Sequence, residues 1–322
     1  MRLRLVPQET SFDFFRFAKV TMGLSIVAMI LSAVLWLTMG LNFGIDFRGG
    51  TTIRTVSAQP VDVAAYRDAI APLDLGDVTI SEVFDPTFGA EQNVAMIRIQ
   101  AQEGQESVAA GTIGDVMESL RSVAPDIRDT ATESVGPKVS GELVQSAILA
   151  VSIALAAILF YIWLRFEWQF AVGAVAALFH DVLLTIGIFS LLQIRFDLAT
   201  IAALLTIIGY SINDTVVIFD RLRENLRKYK KTPLVEVMNL SVNETLSRTL
   251  MTSGTTLLAL IALLILGGDV IRGFVFAITF GVIVGTYSSV YVAKNVVLFL
   301  GVKRDWDKKE PAAGTQFGDV DA

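Results

Sequence analysis

The sequence contains no cysteine and a single histidine, His180. The absence of cysteine excludes disulfides and thiolate metal ligands, and one histidine excludes a multi-histidine zinc or haem site. Charged residues are also scarce, at 18% of the chain, whereas apolar residues make up 53%. This balance differs strongly from that of soluble domains, so the composition indicates a membrane protein with no metal site.

Apolar runs of about twenty residues, each long enough to cross about 30 Å of hydrocarbon as a helix, occur repeatedly along the chain. The first run is longer than the apolar core of a signal peptide. It is followed by GLNFGIDFRGG rather than by a small-x-small cleavage site, so we expect an uncleaved anchor. The chain is predicted to be a polytopic α-helical membrane protein with six transmembrane helices, spans 1 to 6, at 19–39, 142–163, 168–192, 198–219, 247–266 and 272–299.

One long polar segment, residues 40–141, separates span 1 from span 2. Its alternating and helical patterns follow the order β-α-β-β-α-β, which predicts an α+β ferredoxin-like domain. Residues 41–140 contain 15 acidic and 7 basic residues, a balance that argues against binding to nucleic acid. The strands are predicted at 51–57, 77–84, 93–100 and 126–134, and the helices at 61–73 and 107–123.

Basic residues cluster before span 1, between spans 2 and 3, after span 4 and after span 6. With six spans these segments share one face, which the positive-inside rule makes cytoplasmic. We therefore expect both termini to be cytoplasmic and the domain 40–141 to lie outside, which in a bacterium means the periplasm. The remaining divisions are an interfacial N-terminus 1–18, spans 2 to 6 within 142–299, a cytoplasmic loop 220–246 and a disordered tail 300–322. Residues 11–20, SFDFFRFAKV, suit either the membrane interface or an extension of span 1.

Asp214 lies inside span 4, about six residues from its cytoplasmic end. An ionised aspartate at a helix centre costs about 2.5–3.5 kcal/mol on insertion scales. A charged residue at this depth indicates a functional site. Thr206, Tyr210 and Asn213 recur at helical steps beside it, so they are predicted to form one polar face with Asp214 at its edge.

Arg248, in the first turns of span 5, is the natural partner of Asp214 because spans 4 and 5 run antiparallel. Span 5 also carries threonines at three- or four-residue steps, including Thr249 and Thr252, which predicts a hydroxyl-lined seam. One interpretation is a structural ion pair or hydrogen-bond network. The other is a carboxylate that takes up and releases protons, with its occupancy switched by small movements of Arg248.

Two further features lie inside the spans. His180 and Asp181 form a second polar pair in span 3, which is either a packing pair or a secondary part of the site. Small residues recur every four positions in span 6, including Gly281, Gly285 and Ser289, which predicts close helix packing within the bundle or against a partner subunit.

Five segments of the sequence resemble motifs of the SecF family, the smaller membrane subunit of the bacterial SecD–SecF protein-export complex. The resemblance covers nearly the whole chain, in the right order relative to the spans. The segments are FGIDFRGG (43–50), ESVGPKVSGEL (133–143), IGYSINDTVVIFDRLREN (208–225), NETLSRTLMTSGTTL (243–257) and FGVIVGTYSSVYVA (280–293).

The resemblance implies a half-unit of the resistance-nodulation-division superfamily, without cofactors, in the bacterial inner membrane. Such a unit uses proton-motive force to promote late preprotein translocation. The family's proton-path residues match Asp214 and Arg248 here. The implied partners are SecD, the SecYEG channel with YajC or YidC, the translocating preprotein and membrane lipid. The alternatives are half of a small-molecule exporter of the same superfamily and a translocon scaffold without energy coupling. An enzyme is not expected, because no nucleophile–base pair, other catalytic residues or cofactor motif is present.

Overall fold

The computed structural model describes residues 10–86, 88, 91–101 and 110–302, except for the side chain of Ala110. The predicted tail beyond residue 302 and the first residues of the predicted helix 107–123 lie outside this range. Within the described residues, six stretches of helix are long and apolar enough to cross a bilayer. They are α1 (Ala18–Met39), α5 (Pro137–Arg165), α6 (Trp168–Leu192), α7 (Leu198–Lys228), α8 (Leu234–Leu266) and a last stretch, Asp269–Leu300, made of α9 (Asp269–Ser288), a π-helical turn (Ser289–Ala293) and α10 (Lys294–Leu300).

The predicted loop 220–246 is wrong as a loop, because α7 and α8 continue through most of it and only residues 229–233 separate them. Polar side chains pair across the two helices and stabilise these extensions. The Arg221 Nε donates to Glu244 Oε2 at 2.7 Å, and Asn225 Nδ2 donates to Ser241 Oγ at 3.0 Å. Polar residues thus hold the helices together beyond the apolar runs.

The domain inserted between α1 and α5, hereafter the inserted domain, has the predicted β-α-β-β-α-β order. The elements are β1 (Asn42–Phe43), α2 (Ile45–Arg48), β2 (Gly50–Ser57), α3 (Val63–Ile70), β3 (Val78–Val83), β4 (Asn93–Gln100), α4 (Ala110–Arg121) and β5 (Arg128–Val135). The last four strands form an antiparallel sheet in the order β3-β4-β2-β5, and α3 and α4 pack on one face of it around Ile53, Tyr66, Ile97 and Leu120. The short strand β1 and the one-turn helix α2 precede the sheet.

The glycine pair of the FGIDFRGG segment lies at the junction of α2 and β2. Gly49 has φ +72° and Gly50 has φ +134°, values that side-chain-bearing residues rarely adopt. A Cβ at Gly50 would also collide with the carbonyl oxygen of Ile99 on β4. Turn geometry and close backbone approach therefore account for both glycines.

Several contacts between described residues join the inserted domain to the membrane helices. Strand β1 pairs in parallel with β6 (Arg195–Phe196), just before α7. The Asp46 carboxylate accepts a hydrogen bond from the Leu198 amide in the first turn of α7 at 3.0 Å. At the start of α9, the Asp269 amide donates to the Phe84 carbonyl at 2.8 Å, and the Asp269 carboxylate accepts from the Phe84 amide.

Residues 10–17 neither extend α1 nor lie free, because they pack against α8 and α10. Thr10 donates to the Asn243 side-chain oxygen at 2.7 Å, and the Phe14 amide donates to Asn239 Oδ1 at 2.9 Å. The fully buried Lys294 donates to the Phe14 carbonyl at 3.2 Å. Its ammonium lies 3.6 Å from the ring centroid of Phe15, within the range of a cation–π interaction.

Candidate functional site

Asp214 lies on the face of α7 that packs into the helix bundle. The buried positions Ala203, Ile207, Ser211 and Ile218 recur on this face at three- or four-residue steps, and the same periodicity carries Asp214 inside, where it is only 3% exposed. Its Oδ2 is buried and has no hydrogen-bond partner among the described residues. A carboxylate in this position is costly as a charged group, which makes proton uptake a chemical option.

A set of hydroxyl groups from three helices lies beside Asp214. The Ser253 hydroxyl on α8 lies within reach of the Asp214 carboxylate, and it shares a 2.7 Å hydrogen bond with Thr286 Oγ1 on α9. Tyr210 Oη, one turn before Asp214 on α7, donates to Ser253 Oγ at 3.4 Å. The site is therefore a seam between α7, α8 and α9 that contains one carboxylate and several groups able to relay a proton.

Arg248 does not contact Asp214 directly, contrary to the prediction that the two side chains are partners. Its side chain is exposed on α8, and it makes no ion pair with Asp214 in the described part of the chain. The two groups interact only at longer range. A structural ion pair between Asp214 and Arg248 is thus absent from this conformation of the described residues.

The other predicted polar residues divide between the seam and the surface. Thr249 is buried, and its hydroxyl lacks a hydrogen-bond partner among the described residues. Thr252 donates to the Arg248 carbonyl of its own helix at 2.9 Å. Thr206 and Asn213 are exposed on the outer face of α7. The predicted polar face of span 4 therefore points away from the bundle. Tyr210 lies at the boundary of this face, and Asp214 lies on the buried side of the helix.

His180 and Asp181 form a separate buried cluster on α6. His180 Nδ1 and Asp181 Oδ1 are 2.9 Å apart, and both side chains are 1% exposed. The Asp181 carboxylate also contacts α7 and α9 through Ser211 and Ser288. The structure thus brings this pair beside the seam, although no hydrogen bond between the described residues joins it to Asp214 itself.

The small residues of α9 and the π-helical turn lie inside the bundle. A Cβ added at Gly281 would collide with the Ile207 side chain of α7, and one added at Gly285 would lie 3.2 Å from Ser211 Cβ. Ser289 is fully buried. These glycines permit the close approach of α7 and α9 on which the geometry of the seam depends.

Ser253 and Thr286 are the site residues that the sequence analysis missed. Ser253 lies one turn beyond Thr249 on the same face of α8, which is a signal that could have identified it. Thr286 belongs to the polar run GTYSS of the last span. Its contact with Ser253 depends on which helices are neighbours, and helical spacing alone does not specify that.

Taken together, these features define a class of protein: a multi-pass helical membrane protein with one inserted α+β domain and a buried carboxylate in its bundle. Two family models match the chain. SecD/SecF protein export membrane protein, C-terminal, matches residues 115–303, and the SecD/SecF GG motif matches residues 34–61.

The similar proteins point to one family. The chain is 67% identical to the protein translocase subunit SecF of Cereibacter sphaeroides over 321 residues, covering 100% of this chain and 99% of that protein. It is 63% identical to SecF of Rhodobacter capsulatus, covering 97% and 95%. The crystal structure of SecDF, a translocon-associated membrane protein from Thermus, matches with a TM-score of 0.82 at 35% identity, covering 93% of this chain and 40% of that one. The chain belongs to the SecF family of protein translocase subunits.

Proposed function

We propose that this chain works with a SecD partner to couple proton-motive force to late stages of preprotein translocation across the bacterial inner membrane, with Asp214 as the proton carrier. The observation that carries the proposal is the Asp214 carboxylate, buried in the middle of a membrane-spanning helix with one oxygen unpaired among the described residues. The relatives' name, protein translocase subunit SecF, supports the transport role.

The exposed polar surface of α7 and α8 supports a partner subunit at this face. Asn213 and Arg248 are exposed at membrane depth, where contact with lipid would be costly. A second helical unit that covers this face would remove them from lipid and bring its own polar groups towards the Asp214 seam. The Thermus SecDF chain, of which this chain spans 40%, has length for such a unit.

The direction of insertion follows from the charges. The junction of α7 and α8 carries Arg227, Lys228, Lys230 and Lys231, so this end of the bundle belongs on the cytoplasmic side. The inserted domain, at the opposite end, then faces the periplasm, where an emerging preprotein would meet it. The SecYEG channel, with YajC or YidC, is the assembly on which this unit would act.

Arg248 has a role that fits its exposed position. Its charge acts on Asp214 from a distance, so a rearrangement that brings it closer would favour the ionised carboxylate and release the proton. Withdrawal of the arginine would favour proton uptake. Moving one charge through about 100 mV supplies about 2.3 kcal/mol, enough to bias a conformational equilibrium of ordinary size.

The test is Asp214→Asn in the SecD-containing complex, assayed for preprotein translocation into membrane vesicles with and without proton-motive force. Asparagine preserves the shape of the side chain but does not ionise, so we expect the force-dependent component to be lost. Asp220→Asn is the matched control: it makes the same change on the same helix, at a half-exposed residue that pairs with Arg165.

Equal membrane insertion and SecD binding must be verified for both variants. If Asp214→Asn retains force-dependent translocation, Asp214 is not the carrier, and a scaffold without energy coupling becomes the better interpretation. If both variants lose it equally, the effect is not specific to the buried site.

A further inference from the structure

The cluster around Asp181 joins three helices through one carboxylate. Asp181 Oδ2 accepts hydrogen bonds from Ser211 Oγ on α7 at 2.6 Å and from Ser288 Oγ on α9 at 2.7 Å. Its Oδ1 lies 2.9 Å from His180 Nδ1. Asp181, Ser288, His180 and Ser211 are each at most 1% exposed. All of these groups therefore interact in an environment closed to bulk water.

Both oxygens of Asp181 are engaged by neighbouring polar groups. Two hydroxyl groups donate to Oδ2, and the His180 ring lies against Oδ1. A counter-charge stabilises a buried carboxylate. No lysine or arginine in the described chain forms an ion pair with Asp181. Among the described residues, His180 is therefore the only group in direct contact that can supply the positive charge.

One nitrogen of His180 is left without a partner. Its Nε2 is buried and has no hydrogen-bond partner among the described residues. The Tyr287 ring on α9 packs beside the imidazole, with 6.0 Å between ring centroids, but the Tyr287 hydroxyl is committed to the Thr21 carbonyl and the Ser25 hydroxyl of α1. In the tautomer whose Nδ1 hydrogen faces Asp181, the Nε2 lone pair is free to accept a proton.

Among the described residues, Tyr287 on α9 is the titratable residue whose ring packs against His180. Its hydroxyl is hydrogen-bonded to Ser25 and to the Thr21 carbonyl of α1. From α7 the approaching residue is Ser211, with Asp214 one turn further along the same buried face. The second carboxylate near the pair is therefore the proposed proton carrier itself.

We propose that His180 and Asp181 form a second proton-binding site of the transport cycle, in which the proton adds to His180 Nε2 and the Asp181 carboxylate balances the resulting imidazolium. The proton leaves from the same nitrogen, so the pair alternates between a net charge of −1 and zero. This inference deepens the proposed function and rests on it for its role in transport, but proton binding at His180 stands or falls by itself.

The position of the pair gives it a means to act on Asp214. Ser211 precedes Asp214 by one turn on α7, and Ser288 follows the seam residue Thr286 on α9. A change in charge at Asp181 alters the strength of the hydrogen bonds from both serines. A change in charge at Asp181 therefore changes the hydrogen bonding of α7 and α9, the two helices that also contribute to the Asp214 seam.

The direct measurement uses the fact that His180 is the only histidine in the sequence. Full-length chain labelled with ¹⁵N-histidine and reconstituted in lipid bilayers gives NMR signals from this one imidazole. We expect Nε2 to be unprotonated at the alkaline end and protonated at the acid end of a series from about pH 8 to about pH 5, the range in which histidine side chains generally change charge. An imidazole whose protonation state stays constant over this range overturns the proposal.

The functional measurement separates proton binding from packing. His180→Gln keeps an amide that donates to Asp181 but does not bind a proton at physiological pH. In the SecD-containing complex it should lose force-dependent translocation while the complex still assembles. Thr185→Val is the matched control, because Thr185 is equally buried on α6 but donates only to the Asp181 backbone carbonyl, at 2.8 Å.

The outcomes distinguish this inference from the proposed function. If wild-type translocation does not respond to proton-motive force, the proposed function fails, and the NMR titration alone decides whether His180 binds a proton. If the wild type responds and His180→Gln transports equally well, the pair is a structural hydrogen bond and the second site is refuted. Equal losses in His180→Gln and Thr185→Val also refute it, because they indicate disturbed packing of α6.

Discussion

Replacing Gly281 by alanine should separate α7 from α9 at the level of the seam. A Cβ at Gly281 would lie 2.8 Å from Ile207 Cγ2 and closer still to two other atoms of that side chain. Ile207 is fully buried, so it has little room to move. Overpacking of this kind lowers the free energy of unfolding by about 1–3 kcal/mol. The substitution also gains helix propensity, by about 1 kcal/mol in water, and this gain would partly mask the loss.

A second glycine removes that ambiguity. Gly23 lies within α1, and a Cβ added there would have no neighbouring atom within 4 Å, so Gly23→Ala receives the propensity gain without the collision. The difference between the two variants isolates the packing cost and should be about 1–3 kcal/mol, or about 5- to 150-fold in the unfolding equilibrium. Reversible unfolding of the full chain in mixed micelles, followed by circular dichroism, measures it.

The Ile207→Ala background provides the decisive check. Removing the Ile207 side chain leaves space for a methyl group, so Gly281→Ala should cost less there than in the wild type. If Gly281→Ala and Gly23→Ala have equal stability, or if Ile207→Ala gives no relief, the close contact between α7 and α9 does not exist as described. The close packing that positions the seam residues would then be absent as well.

Two further predictions concern the ends of the membrane helices and the inserted domain. Asp197→Ala removes the carboxylate that accepts a hydrogen bond from the Thr200 amide at 2.9 Å in the capping box of α7. The loss should lower the stability of the protein by about 0.5–2 kcal/mol. We expect faster amide exchange in the first turn of α7, and unchanged exchange would contradict this prediction. Hydrogen bonds from the Ala58 amide and the Ser57 hydroxyl lower the pKa of Asp126, so its stabilising effect is complete above the unfolded pKa, about 3.9, and is lost as the pH falls through the lower folded value. Asp126→Asn should therefore flatten the acid dependence of amide exchange at Ala58, and an identical profile in both proteins would refute the assignment.

The six membrane helices are predictable because each requires an apolar run whose length is set by the bilayer. The helical extensions at 220–246 are not, because they depend on pairs such as Arg221 with Glu244 that form between two helices. Polar residues in a sequence indicate contact with water or with each other, and the sequence alone does not say which. The β-α-β-β-α-β order was accessible because alternation and helical spacing are local patterns.

The site was predictable only in part, for a related reason. Asp214 is identifiable because a carboxylate in an apolar run is rare and costly. The exposure of Arg248 and the contact of Ser253 with Thr286 depend on helix rotation and on which helices are adjacent. Serine and threonine occur often in membrane helices, so their spacing gives too little information to select the two that meet.

The hydrogen bonds between Phe84 and Asp269 have a mechanical consequence. They attach the inserted domain to one end of α9, and Thr286 and Ser288 lie near the other end of the same helix. A helix of this length is about 26 Å from Asp269 to Thr286 and does not shorten under load, so it behaves as a lever. A tilt of about 5° would displace the far end by about 2 Å, enough to break a hydrogen bond. Force applied to the domain by a moving polypeptide would thereby reach both buried carboxylates, and a change in their protonation would in turn reach the domain.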